Sequence, residues 1–116
     1  MKILVAEDDP FIREMAVAEL EDAGFEVVQV ATGGQALRLL QADIAIDALL
    51  TDIRMPEANG WEVARAYRER FPDLPVLYVT GYAEQMQPVT GGVMLSKPYT
   101  RNQIIGLLDA VAEQGH

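Results

Sequence analysis

Near the N-terminus, Ile3-Leu4-Val5-Ala6 runs straight into Glu7-Asp8-Asp9-Pro10. Four apolar residues without alternation read as a strand covered on both faces, the habit of parallel sheets. Asp9 followed by Pro10 reads as the N-cap and first position of a helix. A covered strand that turns into a helix within three residues is the opening of a βαβ unit.

Working outward, the alternation repeats. The first helix carries Phe11, Ile12, Met15, Ala16 and Leu20 on one side, and Gly24 stops it. Phe25 to Val30 is β-branched and strand-like, and Thr32-Gly33-Gly34-Gln35 is a capping box opening a helix with Leu37, Leu39 and Leu40. Ala45 to Thr51 is a third apolar run ending at Asp52. Asn59-Gly60-Trp61-Glu62 opens a helix that passes Ala64 and Tyr67 to Phe71, with Trp61, Tyr67 and Phe71 at core spacing and Arg65 to Arg70 as a solvated face. Pro72 and Pro75 bound the turn before Val76-Leu77-Tyr78-Val79. Val93-Met94-Leu95 is the fifth strand, and Thr100-Arg101-Asn102-Gln103 caps a helix that buries Ile104, Ile105, Leu108 and Val111. Right-handed crossovers leave few topologies for this order. The fold class expected is α/β, a flavodoxin-like, doubly wound, five-stranded parallel sheet of order 2-1-3-4-5 with about five helices. The 80–92 crossover contains Pro88, Gly91 and Gly92 and is short, so its fourth helix is expected to be short or irregular, near Ala83–Gln87.

The 116 residues fit one domain, 1–116. Half of them are apolar and 23% are charged, the balance of a globular chain. No apolar run exceeds four residues, so no segment here spans a bilayer. The early acidic residues do not fit a signal peptide, and a cytoplasmic setting is expected; Met1 directly before the first strand favours a free-standing protein. With no cysteine, disulfides and thiolate chemistry are excluded. A net charge of −9 repels phosphate backbones, so no direct DNA binding is expected. The only histidine is His116 and the only serine Ser96, which argues against a Ser-His-Asp hydrolase or a histidine-rich metal site.

Ligands of open parallel sheets bind beyond the carboxyl ends of the strands. Those ends carry Glu7 and Asp8, Asp52, Thr80, and Ser96-Lys97-Pro98. Carboxylates about 4 Å apart repel by about 4 kcal/mol at an effective dielectric near 20. Such a group persists when protonated, paired or holding a metal, and an all-oxygen set with open positions suits Mg²⁺. Lys97 adds a charge for a phosphoryl oxygen and Thr80 a hydroxyl. Taken singly, each has a plainer reading: Asp8 as a cap, Asp52 as a loop residue, Thr80 as a strand-end hydroxyl, Lys97 as a surface charge. Their meeting at one sheet end favours a site.

Ile3 to Pro10, Leu49-Leu50-Thr51-Asp52-Ile53-Arg54-Met55-Pro56, Val79-Thr80-Gly81 and Ser96-Lys97-Pro98-Tyr99 together resemble the receiver domain of two-component response regulators, the CheY-like family. The resemblance covers essentially the whole chain, and Asp52 to Gly60 is its most specific part. It implies that Asp52 is the phosphoacceptor. It also implies Mg²⁺ held by Asp8, Asp52 and the backbone carbonyl of Arg54, with Glu7 acting through water. Thr80 and Lys97 would meet the phosphoryl group, and the Lys97–Pro98 bond would be cis. The implied partners are a sensor histidine kinase or a histidine phosphotransfer protein and an unknown downstream protein, with no membrane. The chain would be no enzyme beyond its own phosphotransfer and dephosphorylation. Met94 stands where the family usually has its switch aromatic, which bears on switching coupled to Thr80, and Tyr82 lies two residues past that threonine.

Four alternatives are weighed. A haloacid-dehalogenase-type phosphatase wants a second Asp two residues after the nucleophile, where Arg54 stands. A flavodoxin-like FMN carrier wants a hydroxyl- and glycine-rich loop where Glu7-Asp8-Asp9 stands. A pseudo-receiver would bind partners without phosphorylation, and a hybrid histidine kinase would carry the same domain as one piece.

Overall fold

The computed structural model describes residues 1–80, 93–96, 100, 102–106 and 109. In chain order the elements are β1 (Lys2–Ala6), α1 (Pro10–Asp22), β2 (Glu26–Val30), α2 (Gly33–Gln41), β3 (Ala48–Asp52), α3 (Gly60–Arg70), β4 (Val76–Thr80) and β5 (Val93–Ser96), with a further helical segment at 102–106. All strand pairs are parallel and the sheet order is β2-β1-β3-β4-β5, as the alternation of elements predicts.

Side chains alternate across a strand, and that alone separates the two cores. Ile3 and Val5 of β1, Ala48 and Leu50 of β3, and Leu77 and Val79 of β4 face one side, where Ala16, Val17, Leu20 and Ile104 cover them. Leu4, Leu49, Val76 and Tyr78 face the other, against Ala36, Val63, Ala64 and Tyr67 of α2 and α3. Helices on both faces explain why the inner strands β1, β3 and β4 read as apolar runs, while the edge strand β2 keeps Glu26 and Gln29 exposed.

Local chemistry sets the helix starts. Asp9 Oδ1 accepts from the amides of Phe11 (2.9 Å) and Ile12 (3.1 Å), with Pro10 at the first helical position. Thr32 with Gln35 and Asn59 with Glu62 each form a full capping box. At the last helical segment Thr100 N–H donates to Gln103 Oε1 at 2.7 Å and Gln103 N–H donates to Thr100 Oγ1 at 3.3 Å, so that box is present as well. Gly24 ends the α1 turn at φ +97°, where a side chain would be strained.

Several boundaries and faces differ from the sequence expectation. On α1 the buried side is Ala16, Val17 and Leu20, whereas Phe11 and Met15 are 76% and 59% exposed. Phe11 and Met15 are four apart and form their own stripe, turned about 100° from the neighbouring stripe of Ile12, Ala16 and Leu20. The third strand starts at Ala48 rather than Ala45, because Asp47 turns away to accept the Lys2 N–H at 2.7 Å. Phe25 lies outside β2, its amide bonded to the Leu20 carbonyl at the end of α1. On α3 Tyr67 is fully buried, with Trp61 and Phe71 partly buried against the same core. Within the stretch read as a solvated face, Arg68 and Arg70 bond the carbonyls of Leu74 and Leu40. The crossover segment near Ala83–Gln87, Tyr82, the Lys97–Pro98 bond, Leu108 and Val111 lie outside the described residues, as does the Met94 side chain.

Candidate functional site

The register of the sheet assembles the site. Ala6 of β1 is level with Thr51 of β3, so Glu7 and Asp52 follow side by side at the same edge. Asp52 is level with Val79 of β4, which puts the Thr80 backbone one step beyond, opposite Ser96 of β5. Asp8 is carried in by the turn into α1.

Carboxylate oxygens of Glu7, Asp8 and Asp52 all lie within 4.8 Å of one another. Glu7 and Asp52 are buried, at 3% and 8% exposure, and Asp8 is exposed at the mouth. Two buried acids beside a third are costly unless cations or donors face them. Some donors are visible. The Ile53 amide donates to Asp52 Oδ1 at 3.0 Å and the Asp9 amide to Glu7 Oε2 at 3.1 Å. Arg13 Nη1 donates to the Glu7 carbonyl at 2.9 Å, tying α1 to the end of β1. The run Glu7-Asp8-Asp9 is therefore divided by role: Asp9 caps α1, and the other two face Asp52.

Behind this edge, Gly60 closes on the backbone. Its N–H donates to the Ile53 carbonyl at 2.7 Å, and a Cβ there would collide with the Asp52 carbonyl oxygen. Only glycine lets α3 begin so near the strand end that carries Asp52. An open cleft of about 380 Å³ adjoins the acids, lined by Asp8, Arg54, Met55, Pro56 and Asn59.

Of the residues singled out from sequence, Glu7, Asp8 and Asp52 come together and Arg54 lines the cleft beside them. The Thr80 hydroxyl and Lys97 lie outside the described residues. Sequence reasoning did not single out Glu57, whose backbone sits at φ +77° in the loop between β3 and α3. The adjacent Gly33-Gly34 pair was the available signal, since two glycines inside a helix start mark a close approach of backbone. Met55, Pro56 and Asn59 were likewise not assigned to the cleft.

Three carboxylates with no sulfur or imidazole form a hard, all-oxygen donor set, suited to a cation such as Mg²⁺ and ill suited to zinc. The chemistry of the set thus fits the ion expected from sequence.

A family model described as the response regulator receiver domain matches residues 3–109. The response regulator receiver protein CpdR of Brucella abortus is 36% identical over 113 residues, covering 93% of this chain and 93% of its own. Other curated relatives are longer, and the chain spans 46% and 50% of two of them. The crystal structure of a response regulator receiver protein from Sinorhizobium medicae superposes with a TM-score of 0.92 at 33% identity, covering 100% of this chain and 97% of that one. That of the response regulator protein TrrA from Thermotoga maritima, in complex with Mg²⁺-BeF, superposes at 0.82 with 25% identity, covering 95% and 97%. Among the described residues no helix is long and apolar enough to cross a membrane.

Proposed function

The chain belongs to the response regulator receiver family of two-component signalling, and on that premise we propose that it is a phosphorylation-dependent switch whose phosphoacceptor is Asp52, working with Mg²⁺. The observation that carries this reading is the gathering of the Glu7, Asp8 and Asp52 oxygens within 4.8 Å at the strand ends. Asp8 and Asp52 would hold the ion together with the Arg54 backbone carbonyl, and Glu7 would act on it through water. When bound, Mg²⁺ neutralises charge on the phosphoryl oxygens during transfer.

The chain's own groups then position and receive. An Asp52 carboxylate oxygen attacks phosphorus in line, a new O–P bond forms, and the N–P bond of the donor's phosphohistidine breaks with the imidazole as leaving group. Burial of Asp52 among β1, β3 and α3 limits the directions from which a phosphoryl group can arrive, and the cleft beside Asp8 leaves one open. The product acyl phosphate carries about −1.5 to −2 charges where the Asp52 carboxylate carried one, and it sets strong acceptor oxygens at the sheet edge, which recruits the Thr80 hydroxyl and the Lys97 ammonium and moves the segments carrying them. Asp52 takes the group from a sensor histidine kinase or a histidine phosphotransfer protein. Output passes to a protein partner, since a chain of net charge −9 does not favour DNA. The setting is cytoplasmic, the unit is the single domain 1–116, and its chemistry is confined to gaining and losing its own phosphoryl group.

Beryllofluoride with Mg²⁺ tests this reading by fluorine NMR. A protein-bound signal is expected for wild type and none for Asp52→Ala or after chelation. No bound signal in wild type would replace the proposal with a pseudo-receiver that binds partners unphosphorylated.

A further inference from the structure

The loop from Ile53 to Asn59 carries Arg54 and forms one wall of the cleft facing Asp8. Its middle is hydrogen-bonded to the start of α2, while Ala58 and Met55 pack into the core shared with β3 and α3. Gly33 N–H donates to the Pro56 carbonyl at 3.1 Å, and the Thr32 hydroxyl donates to Glu57 Oε1 at 2.9 Å. The Arg38 guanidinium stands 4.0 Å from that same oxygen. A Cβ on Gly33 would collide with the Ala58 carbonyl, and one on Gly34 with the Glu57 carboxylate. At Gly33 the loop backbone therefore leaves no room for a side chain, and at Gly34 one would displace the Glu57 carboxylate.

Glu57 occupies the left-handed region at φ +77° without being glycine. Such a conformation persists only where surrounding contacts over-determine it. Here those contacts are the Thr32 hydroxyl and the two-glycine seat, and the loop they shape is the one that carries Arg54 into the cleft wall beside Asp8.

We infer that Glu57 and the Thr32-Gly33-Gly34 turn are positioning residues, a clamp that sets the Arg54 wall of the cleft in its ion-receiving shape before the ion arrives. This inference rests on the metal reading given above. A loop left free would have to be ordered at the moment of binding, and that ordering would weaken affinity. The clamp also joins α2 to the site, although α2 supplies no carboxylate.

Two variants separate positioning from stability. Glu57→Gly removes the clamp and the backbone strain together, so it should melt no lower than wild type while binding Mg²⁺ more weakly. Glu57→Gln keeps an Oε1 acceptor for Thr32 and loses only charge. Mg²⁺ is titrated against the fluorescence of Trp61, the one tryptophan, which follows the cleft residue Asn59 by two positions. Melting curves and Gly33 amide exchange are measured in metal-free buffer. The expected result is an Mg²⁺ Kd raised about tenfold in Glu57→Gly, the loss usual when support behind a metal ligand is removed. Glu57→Gln should stay within about twofold, and Gly33 exchange should quicken in Glu57→Gly alone. A Glu57→Gly protein that binds Mg²⁺ as wild type does overturns the inference, as does Glu57→Gln weakened to the same degree. Unchanged Gly33 exchange in Glu57→Gly, with or without a lower melting temperature, overturns it too. A wild type with no Mg²⁺ response at all overturns the metal reading, and this inference with it.

Discussion

Replacing Asp52 by Asn removes one charge from the acidic cluster and keeps both its shape and the oxygen that accepts the Ile53 amide at 3.0 Å. The three acids have oxygens within 4.8 Å of one another. Two unit charges at that separation repel by about 3.5 kcal/mol at an effective dielectric near 20, and by about 1 kcal/mol in bulk water. Glu7 and Asp52 are both buried, so their repulsion lies toward the upper figure; Asp8 is exposed, so its share lies toward the lower. The hydrogen bonding at Asp52, the Ile53 amide included, and solvent screening offset part of the sum, leaving a net gain of about 2 kcal/mol for the variant. In a domain of this size that raises Tm by about 6–10 °C in metal-free, low-salt buffer. Mg²⁺ works in the opposite sense. At a tenfold excess over Kd it stabilises wild type by about 1.4 kcal/mol, and the variant, short of one charged ligand, gains less. Calorimetric scans with chelator and with millimolar Mg²⁺ should show a gap that is large in the first and narrowed in the second. Equal melting in chelator, or a gap indifferent to Mg²⁺, would refute the reasoning from clustered charge.

Burial pushes the Tyr67 phenol up from 10.0 to about 12. The folded chain keeps a proton that the unfolded chain releases, so this contribution is complete below pH 10 and falls by about 2–3 kcal/mol as pH rises toward 12. Tyr67→Phe, which loses the 2.6 Å bond to the Ala36 carbonyl, should be about 1 kcal/mol less stable at neutral pH yet decline less between pH 10 and 12; denaturant melts across that range would contradict this if the two slopes matched. Gly60→Ala forces a methyl onto the Asp52 carbonyl and should cost about 3 kcal/mol, with Mg²⁺ binding impaired in the folded fraction; a melting temperature near wild type would show that α3 shifts freely. Asp9→Ala leaves the Phe11 and Ile12 amides without their cap and should cost about 1 kcal/mol while Mg²⁺ affinity holds within about twofold, whereas a large loss of affinity would place Asp9 among the ligands.

The parallel sheet was legible because its inner strands β1, β3 and β4 are apolar on both faces and its helix starts are written in caps. Asp9-Pro10, Thr32 with Gln35, and Asn59 with Glu62 act over three residues or fewer, within reach of local reading. The meeting of Glu7 and Asp8 with Asp52 was legible for a topological reason: strand order 2-1-3 puts the ends of β1 and β3 side by side. The buried face of α1 was misread, since two apolar stripes share that helix and only packing against Ile3 and Val5 decides between them. The Gly33-Gly34 pair signals a close approach of backbone but does not say that Glu57 makes it. The left-handed backbone of Glu57 depends on Thr32, 25 residues earlier, and on a two-glycine seat whose purpose appears only once α2 lies against the loop.

Incubation with acetyl phosphate and Mg²⁺, read by intact mass and peptide mapping, tests the role of Asp52 most directly. Wild type should gain one phosphoryl group, mapped to Asp52, and lose the gain when Mg²⁺ is chelated; Asp52→Ala should gain none. A phosphoryl group on another residue, equal labelling of Asp52→Ala, or an unmodified wild type would contradict the account.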